Sequence, residues 1–340
     1  MKEVDILIKN SDKDKIYNAV IDYYNSKIMN KPYYFNTNID GSFNFINSEM
    51  SRHSRAFLKI QDGCDNYCSF CKIPYARGRS RSRNIEDVLK EIGFFINNGY
   101  KEIVLTGINL GSYHFNNVDL PGLMKIITED FPDIRVRLSS IELQYIDNNF
   151  IEIFSHKNIC PHIHIPLQSG SDKILKLMNR SYTATDYFDK IELLRKIKIN
   201  PFISTDLILG FPGEDNNDFL KTLDFIKKIN FSFIHIFGYS PRKGTSAYNI
   251  KNKVCERVRD ERIKKVTKMV DEMNYNYRKT FLNNKLEVII EDIKDNYYSG
   301  KTENYINILI PKNGKNMKKK QKYNIILTKI ENNLNYARLF

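Results

Sequence analysis

An alternation of apolar strand patterns with helical patterns runs through residues 53–275 and leaves few folds open to this chain. Apolar runs recur six times, and a stretch of helical periodicity separates each from the next. The predicted strands are 56–61, 101–106, 134–139, 162–167, 202–209 and 232–237, and the predicted helices are 84–98, 119–130, 145–155, 171–197 and 216–229. Apolar strands joined by helices form parallel sheets covered on both faces. Because the crossovers are right-handed, the sequence predicts an α/β fold, a partial (β/α)6 barrel.

Two smaller segments flank this predicted core. Residues 1–30 hold one strand and one amphipathic helix, a βα unit that cannot bury its own sheet face, and residues 31–52 are interpreted as a linker. On the other side, a charged helical pattern over 255–283 leads into short strands that alternate apolar and polar residues. Alternating strands with basic turns predict a small β-barrel over 276–340.

The charge of the chain favours a polyanionic partner. Lys and Arg number 53 against 40 Asp and Glu, which gives a net charge of +13. The excess is concentrated in the tail, and this clustering favours nucleic acid; the alternative is a composition that reflects an AT-rich genome. No apolar run approaches the roughly 18 residues of a membrane span, so we expect a cytoplasmic protein with no membrane partner.

Three of the five cysteines fall within eight residues, in a C-x3-C-x2-C spacing directly after the first predicted barrel strand. These are Cys64, Cys68 and Cys71. Three thiolates can hold three irons of a [4Fe–4S] cluster and leave the fourth iron open to a ligand. The alternatives are a zinc site completed by His53 or His114, or three buried structural cysteines. The position after the first barrel strand favours the cluster.

The cysteine spacing at this place resembles the radical S-adenosylmethionine (SAM) superfamily. The longer stretch FLKIQDGCDNYCSFCKIPYARGRSRSR resembles the tRNA and ribosomal-protein methylthiotransferases within it. The similarity continues through TGINLGSY, RLSSIE, HIHIPLQSGSDKILKLMNRSYT, STDLILGFPGED and FGYSPRKGTSA, and it ends in a tail similar to the TRAM RNA-binding domain. TGINLGSY and RLSSIE are most similar to the branch that acts on threonylcarbamoyladenosine beside the tRNA anticodon.

The resemblance implies a reaction and its cofactors. A [4Fe–4S] cluster on Cys64, Cys68 and Cys71 would reduce S-adenosyl-L-methionine to methionine and a 5′-deoxyadenosyl radical. The family then replaces the hydrogen at C2 of the adenine at tRNA position 37 with a methylthio group, and an electron donor such as flavodoxin or ferredoxin supplies the electrons. Glycines and polar residues at the predicted strand ends would surround SAM, namely Gly107, Gly111, Ser139, Glu142, Gln168, Ser169, Arg180, Gly210 and Gly213. Of these, Arg180 is placed in a helix, where it pairs either with the SAM carboxylate or in a surface salt bridge.

Basic residues near the cysteines and in the tail are candidates for tRNA contact. Arg77, Arg79, Arg81 and Arg83 alternate, so in an extended segment they would share one face. The alternative is a solvated loop. The run Lys318, Lys319 and Lys320 is the matching candidate in the tail.

One departure from the family stands out at the start of the chain. Family members carry an N-terminal α/β domain whose three cysteines bind a second cluster used in sulfur insertion, and here no cysteine precedes Cys64. Three explanations stay open: a missing start, another route for sulfur, or a decaying protein. Two other functions are retained, a cluster-containing tRNA-binding fragment without sulfur transfer and a methylthiotransferase for a ribosomal protein.

Overall fold

A computed structural model describes residues 4–8, 15–25, 33–35 and 53–340. In the N-terminal part, strand β1 (Ile6–Ile8) precedes helix α1 (Ile16–Asn25), as predicted, and strand β2 (Tyr33–Phe35) pairs parallel with β1. Strand β2 falls within the predicted linker, and most of that linker lies outside the described residues. Across the described ranges, no helix is long and apolar enough to cross a membrane.

The central part follows the predicted alternation closely. Its elements in chain order are β3 (Ala56–Lys59), β4 (Gln61–Asp62), α2 (Ile73–Arg77), β5 (Arg81–Ser82), α3 (Ile85–Asn97), β6 (Glu102–Thr106), β7 (His114–Phe115), β8 (Val118–Asp119), α4 (Leu120–Asp130), β9 (Arg135–Leu138), α5 (Asn148–Phe154), β10 (His162–His164), α6 (Asp172–Leu177), α7 (Ala184–Ile197), β11 (Phe202–Leu209), α8 (Asn216–Ile229) and β12 (Phe233–Gly238). The six predicted strands and four of the five predicted helices between them are therefore confirmed.

The six long strands form a curled, open parallel sheet. Strands β3, β6 and β9 make one parallel sheet, and β10, β11 and β12 make another. Parallel bridges from Val136 to Ile159 and from Ser140 to His164 join the two. The strand order thus equals the chain order, with β3 and β12 at the edges, which is the predicted partial (β/α)6 barrel.

The predicted helix 171–197 is two helices. Asn179 takes a left-handed backbone conformation, with φ of 59°, just after α6 ends. Thr183 then starts α7 with a capping box, in which its side chain and that of Asp186 each accept from the other's backbone N–H. The chain between the two helices leaves the helical path and carries Arg180 towards the cysteines.

The C-terminal part is the predicted small β-barrel. Helix α9 (Glu256–Lys279) leads into β13 (Lys285–Ile293), β14 (Tyr297–Thr302), β15 (Asn307–Pro311), β16 (Lys322–Glu331) and β17 (Leu334–Leu339). These five strands close in the order β13-β14-β15-β17-β16 around a separate apolar core. At Gly300 a side chain is impossible without movement, because a Cβ would lie 2.3 Å from the carbonyl oxygen of Ile289 on β13.

A buried ion cluster joins this barrel to the amino ends of the parallel strands. Glu102 accepts from Nε of Arg135 at 2.6 Å and from Nε of Arg137 at 2.8 Å. Arg137 also donates to the carbonyl oxygens of Glu303 and Thr302, both at 3.0 Å. Burial raises the pKa of Glu102, but Arg137 and Arg135 outweigh it and hold that pKa below its usual value. The C-terminal barrel therefore lies at the opposite end of the sheet from the cysteine loop.

Candidate active site

The three cysteines lie on one loop at the carboxyl end of the first barrel strand. A tight backbone crossing starts this loop: Gly63 has a φ of +77°, and a Cβ there would lie 2.0 Å from the carbonyl oxygen of Arg79. The N–H of Cys64 donates to Gly78 at 3.2 Å, and the N–H of Cys71 donates to the carbonyl of Cys68 at 2.9 Å. All three thiols are free and half-buried.

Each thiol faces a hydrogen-bond donor. The backbone N–H of Asn66 lies 3.5 Å from Sγ of Cys64, and that of Ile73 lies 3.4 Å from Sγ of Cys71. The guanidinium of Arg180 lies 3.3 Å from Sγ of Cys68. Burial raises the pKa of Cys64 and of Cys68, and Arg180 opposes the rise at Cys68. Three free thiols with donors aimed at sulfur fit the ligand set of an iron–sulfur cluster.

Neither histidine proposed as a fourth zinc ligand is seen to join the cysteines. His53 packs edge-on against the ring of Phe57 and so lies at the start of β3, the end away from the cysteine loop. His114 is exposed on β7. Within the described part of the chain, no three His, Cys, Asp or Glu side chains, the three cysteines included, form a ready site for a single metal ion. The cluster assignment therefore rests on the spacing of the cysteines, their loop and the donors that face their sulfur atoms.

Arg180 and Glu142 form a buried ion pair beside Cys68. The Arg180 guanidinium pairs with both carboxylate oxygens of Glu142, donates to the hydroxyl of Tyr182 at 3.0 Å and reaches the carbonyl of Pro166 at 3.3 Å. With the contact to Cys68, all five of its N–H groups have acceptors. The expected position in a helix is wrong, because Arg180 lies between α6 and α7. Pairing with the SAM carboxylate stays a prediction, and it would compete with Glu142.

The first predicted glycine pair has an internal packing role. A Cβ on Gly107 would lie 2.9 Å from Oε1 of Gln61, and one on Gly111 would lie 2.3 Å from the ring of Tyr145. The amide of Gln61 in turn accepts from the N–H of Asn109 at 2.8 Å and donates to the carbonyl of Gly63 at 2.9 Å. Both glycines thus support the cysteine loop through neighbouring side chains, and their contact with SAM stays a prediction.

The second pair lies where the chain turns after β11. Gly210 and Gly213 both have left-handed backbone, with φ of 73° and 90°. The N–H of Gly210 donates to Oε1 of Glu214 at 3.2 Å. Glu214 pairs with Arg262 on α9 in a buried contact. The turn is therefore fixed to α9, and its approach to SAM also stays a prediction.

The predicted polar residues divide into partnered and unpartnered groups. Ser169 lies 3.5 Å from the hydroxyl of Thr222 and accepts from the N–H of Ser171 at 3.2 Å. By contrast, Oγ of Ser139 and Oε1 of Gln168 are buried and have no hydrogen-bond partner among the described residues. Gln168 also takes a φ of 67°. Buried polar atoms without partners are typical of positions that meet a ligand or water.

A cavity of about 670 Å³ occupies the inside of the curled sheet. Ser139 is the predicted site residue that lines it. Its wall carries a hydrogen-bonded chain in which Nδ1 of His164 lies 2.9 Å from Oγ of Ser204 and Nε2 lies 3.3 Å from Asp206. The C-terminal barrel lines one end of the cavity with Lys301 and other residues. The space is large enough for a nucleoside.

The prediction that Arg77, Arg79, Arg81 and Arg83 share one face is wrong. Arg77 ends helix α2 and Arg81 lies on β5, and both pair with the buried carboxylate of Asp62 at 3.2 and 3.3 Å. Arg83 is buried and pairs with Glu91 at 2.6 Å. Arg79 is 83% exposed and pairs with Asp65. The segment is not a single extended strand, so alternation in sequence does not place the four side chains together.

The tail lysines also differ from one another. Lys318 is exposed, and Lys319 pairs with Asp292 at 2.7 Å. Lys320 packs its ammonium 3.8 Å from the ring centroid of Tyr100, at the amino end of the parallel sheet. Lys320 therefore contributes to the contact between the two barrels, and the RNA-binding roles of the run stay predictions.

Glu102, Arg135, Arg137 and Lys301 were not among the residues predicted from the sequence. A signal for Arg135 and Arg137 was present, because charged residues spaced two apart within an apolar strand lie on the same face of it. Lys301 follows Gly300 in an alternating strand, but nothing in its neighbourhood marks it as facing another part of the chain.

Comparison with known proteins gives consistent matches. A model described as the radical SAM superfamily matches residues 58–226. The chain is 35% identical over 325 residues to a threonylcarbamoyladenosine tRNA methylthiotransferase of Bacillus subtilis, which covers 90% of this chain and 70% of that relative. It is 39% identical over 251 residues to a tRNA-2-methylthio-N(6)-dimethylallyladenosine synthase of Thermodesulfovibrio yellowstonii, which covers 73% of this chain and 58% of that relative. Among solved structures, the radical SAM enzyme coproporphyrinogen III oxidase of Escherichia coli aligns with a TM-score of 0.49 at 13% identity, over 74% of this chain and 68% of that chain. The chain thus spans between 58% and 70% of the length of these two curated relatives.

Proposed function

Because the chain belongs to the radical SAM tRNA methylthiotransferase family, we propose that it takes part in adding a methylthio group to C2 of N6-threonylcarbamoyladenosine at tRNA position 37. Support for the threonylcarbamoyl branch comes from TGINLGSY and RLSSIE, and from the relative in Bacillus subtilis. The comparisons give the alternatives, a tRNA-binding fragment or a ribosomal-protein target, no support.

The observation that carries the proposal is the cysteine loop. Cys64, Cys68 and Cys71 hold three free thiols at the carboxyl end of the strands, and each thiol faces an N–H donor. Carboxyl ends of strands are where enzymes of β/α barrels place their chemistry. In our proposal these residues hold a [4Fe–4S] cluster, which together with S-adenosyl-L-methionine supplies the 5′-deoxyadenosyl radical.

The other residues of the site act by positioning. Arg180 donates to Sγ of Cys68 and is itself oriented by Glu142 and Tyr182. Such donors to a ligating sulfur orient it and adjust the reduction potential of the group it holds. Ser139 and Gln168 present buried oxygens without partners and are the residues we propose for contact with SAM or substrate.

The same proposal assigns a role to each part of the chain and names the partners of the protein. Residues 53–275 act as the radical SAM core and 276–340 as a TRAM-like domain that binds tRNA. An electron donor such as flavodoxin or ferredoxin reduces the cluster. A tRNA substrate of this kind is consistent with a cytoplasmic protein.

The test compares Cys68→Ala with Cys255→Ala after anaerobic reconstitution with iron and sulfide. Cys255 is exposed at the start of α9 and serves as a matched thiol control. We expect Cys68→Ala to lose cluster absorbance and 5′-deoxyadenosine formation, and Cys255→Ala to keep both. Equal cluster content and SAM cleavage in the two variants would refute the assignment.

A second measurement addresses the transfer itself. Mass spectrometry of tRNA nucleosides, from cells with and without the gene, is expected to show the methylthio derivative of threonylcarbamoyladenosine only with the gene. SAM cleavage with no methylthio nucleoside under either condition would favour the tRNA-binding fragment instead.

A further inference from the structure

The end of the cavity away from the cysteines has an unusual charge distribution. We call this end the cavity floor and define it by Lys301, Tyr305, Asn307 and Asn335 of the C-terminal barrel and Arg278 of α9. Two of these residues, Lys301 and Arg278, are cations, and neither lies within 4 Å of a carboxylate in the described part of the chain. The floor therefore brings positive charge to one end of a half-open cavity.

Lys301 is the more available of the two cations. It is only 8% exposed, its Nζ donates to Oδ1 of Asn307 at 2.5 Å, and it lies 3.9 Å from the ring centroid of Tyr305. An ammonium has three N–H groups, so a neutral oxygen and a ring face leave one donor for another acceptor. Burial, with Arg55 as the next cause, lowers the pKa of Lys301 to about 8. At neutral pH the floor thus holds a charged, desolvated ammonium.

Arg278 adds a second cation held by neutral groups. Its guanidinium donates to Oδ1 of Asn335 and to the carbonyl of Asn332, both at 3.0 Å, and to the carbonyl of Asn274 at 3.3 Å. These contacts tie α9 to the C-terminal barrel without neutralising the charge.

The nearest carboxylates are already engaged by other arginines. Glu102 accepts from Arg135 and Arg137, and Glu291 pairs with Arg55 at 2.7 Å. Asp206 and Asp271 also line the cavity, but Asp206 pairs with His164, and among the described residues neither aspartate forms an ion pair with Lys301 or Arg278. The two cations therefore have no direct carboxylate partner, and a buried charge without one is costly until an anion arrives.

Polar atoms above the floor also lack partners. Nδ1 of His162 and Oγ of Ser139 are buried without a hydrogen bond in the described part of the chain, and both residues line the cavity. His162 is 6% exposed, stacks on Phe202 and contacts the ring of Tyr305. Burial and Arg137 lower the pKa of His162, so its ring is neutral and offers one donor and one acceptor. The cavity therefore suits a ligand that carries polar groups along its length and an anion at its end.

We propose that the cavity floor is an anion subsite that receives the carboxylate of the substrate's N6 substituent, with Lys301 as the specificity-determining residue. The inference rests on the proposed function and deepens it. A threonylcarbamoyl group ends in a carboxylate and also carries a hydroxyl and a urea, whereas a dimethylallyl group is a hydrocarbon. The carboxylate of the threonylcarbamoyl group would neutralise the buried ammonium of Lys301. A dimethylallyl group would cover that ammonium without giving it a partner. The floor thus favours the substrate named for the relative in Bacillus subtilis over that named for the relative in Thermodesulfovibrio yellowstonii.

The test uses three anticodon stem-loop RNAs that differ only at the N6 position. One carries threonylcarbamoyladenosine, one the same nucleoside with its carboxylate converted to the amide, and one dimethylallyladenosine. The full chain, reconstituted with its cluster, is titrated with each RNA by fluorescence anisotropy at fixed salt. We expect the acid to bind about tenfold to a hundredfold more tightly than the amide, the range expected for a hydrogen bond to a charged group.

Variants assign the preference to Lys301. Lys301→Met removes the charge and keeps the length, and Lys315→Met makes the same charge change at an exposed position of the same barrel. We expect Lys301→Met to bind the acid and the amide equally and Lys315→Met to retain the wild-type preference. Because the acid-to-amide ratio of the wild-type chain needs no variant, a folding defect in Lys301→Met leaves the subsite testable.

Each outcome decides the matter. An acid preference in the wild-type chain that disappears in Lys301→Met supports the subsite. Equal binding of acid and amide by the wild-type chain, or an undiminished preference in a folded Lys301→Met, overturns it. Methylthiolation is scored separately on the same RNAs, so failure of the proposed function appears as absent product, whatever the binding ratios are.

Discussion

Replacing Glu102 with Gln should destabilise the chain by about 3 to 5 kcal/mol, the cost of removing one partner from a buried ion pair. Glu102 is fully buried, and the side chains of Arg137 and Arg135 are 1% and 6% exposed. Its two oxygens accept three hydrogen bonds of 2.6 to 3.1 Å from these arginines. A glutamine keeps the shape but turns an amide N–H₂ towards the guanidinium groups, which leaves Arg137 without this counter-ion and Arg135 with only the partly exposed Glu287.

The expected shift in melting temperature follows from chain length. At about 2.1 cal/mol/K per residue, 340 residues give an unfolding entropy of about 0.7 kcal/mol/K, so the loss corresponds to about 4 to 7 °C. Differential scanning calorimetry measures this shift. Hydrogen exchange should also rise first in β13 and β14, because Arg135 and Arg137 bind the carbonyls of Glu287 and Thr302 on these strands.

The matched control is Glu291→Gln. Glu291 accepts from Arg55 at 2.7 Å across the same junction, but its side chain is 30% exposed. Removing a partly exposed pair should cost less than about 1 kcal/mol. If Glu102→Gln melts within 1 °C of the wild-type chain, or no lower than Glu291→Gln, the buried cluster does not hold the two barrels together.

The pH dependence has a definite sign. Arg137 and Arg135 hold the pKa of Glu102 in the folded chain below its usual value, so the cluster stabilises the fold at neutral pH, and the stabilisation is lost as the pH falls below that usual value. The difference in stability between the wild-type chain and Glu102→Gln should therefore shrink towards acid pH. A difference that grows on acidification would contradict this reasoning.

Two further predictions concern the cysteine loop and the arginines beyond it. Gly63→Ala should lose reconstituted iron while far-UV circular dichroism stays unchanged, because a Cβ at a φ of +77° would lie 2.0 Å from the carbonyl oxygen of Arg79. Gly99→Ala, at a φ of +80° with open space around its Cβ, is the control for positive φ alone. Full iron content in Gly63→Ala would contradict the prediction. Arg79→Ala should weaken tRNA binding and reduce its salt dependence by about one phosphate contact, without changing the melting temperature. Arg83→Ala should instead lower the melting temperature, because it removes the ion pair of the buried Glu91 carboxylate with Arg83. Filter binding at several salt concentrations, with thermal melts of both variants, checks the second prediction, and identical behaviour of the two would refute it.

Most of the fold could be predicted from hydrophobic periodicity. Each strand and helix buries one side, so its apolar residues recur with the period of that element. Strand β11 and helix α8 begin and end where the pattern does, at 202–209 and 216–229. The split of 171–197 escaped prediction because it depends on one left-handed residue, Asn179, within a stretch that is otherwise compatible with a helix.

The site was less accessible to sequence reasoning. The three cysteines stood out because they are close in sequence, and local spacing fixes their relation. The cavity brings together His162 and Tyr305, whose rings lie 4.3 Å apart although the residues are far apart in the chain. Only the docking of the C-terminal barrel creates that contact, and no local pattern encodes it. The alternating pattern also misplaced Arg83. Its side chain turns inward to pair with Glu91 on the next helix, and the spacing of the four arginines does not indicate this pairing.

The position of the C-terminal barrel constrains how an RNA can use both basic regions. Lys320 packs on Tyr100 at the amino end of the sheet, whereas Arg79 lies beside the cysteine loop at the carboxyl end. The eight residues of β11 span about 26 Å at 3.3 Å per residue. An RNA that contacts both ends would have to extend over at least about that distance. In the proposed function, the tail lysines would contact phosphates away from the modified base, and recognition of the base itself would fall to the cavity, whose floor the same C-terminal barrel provides.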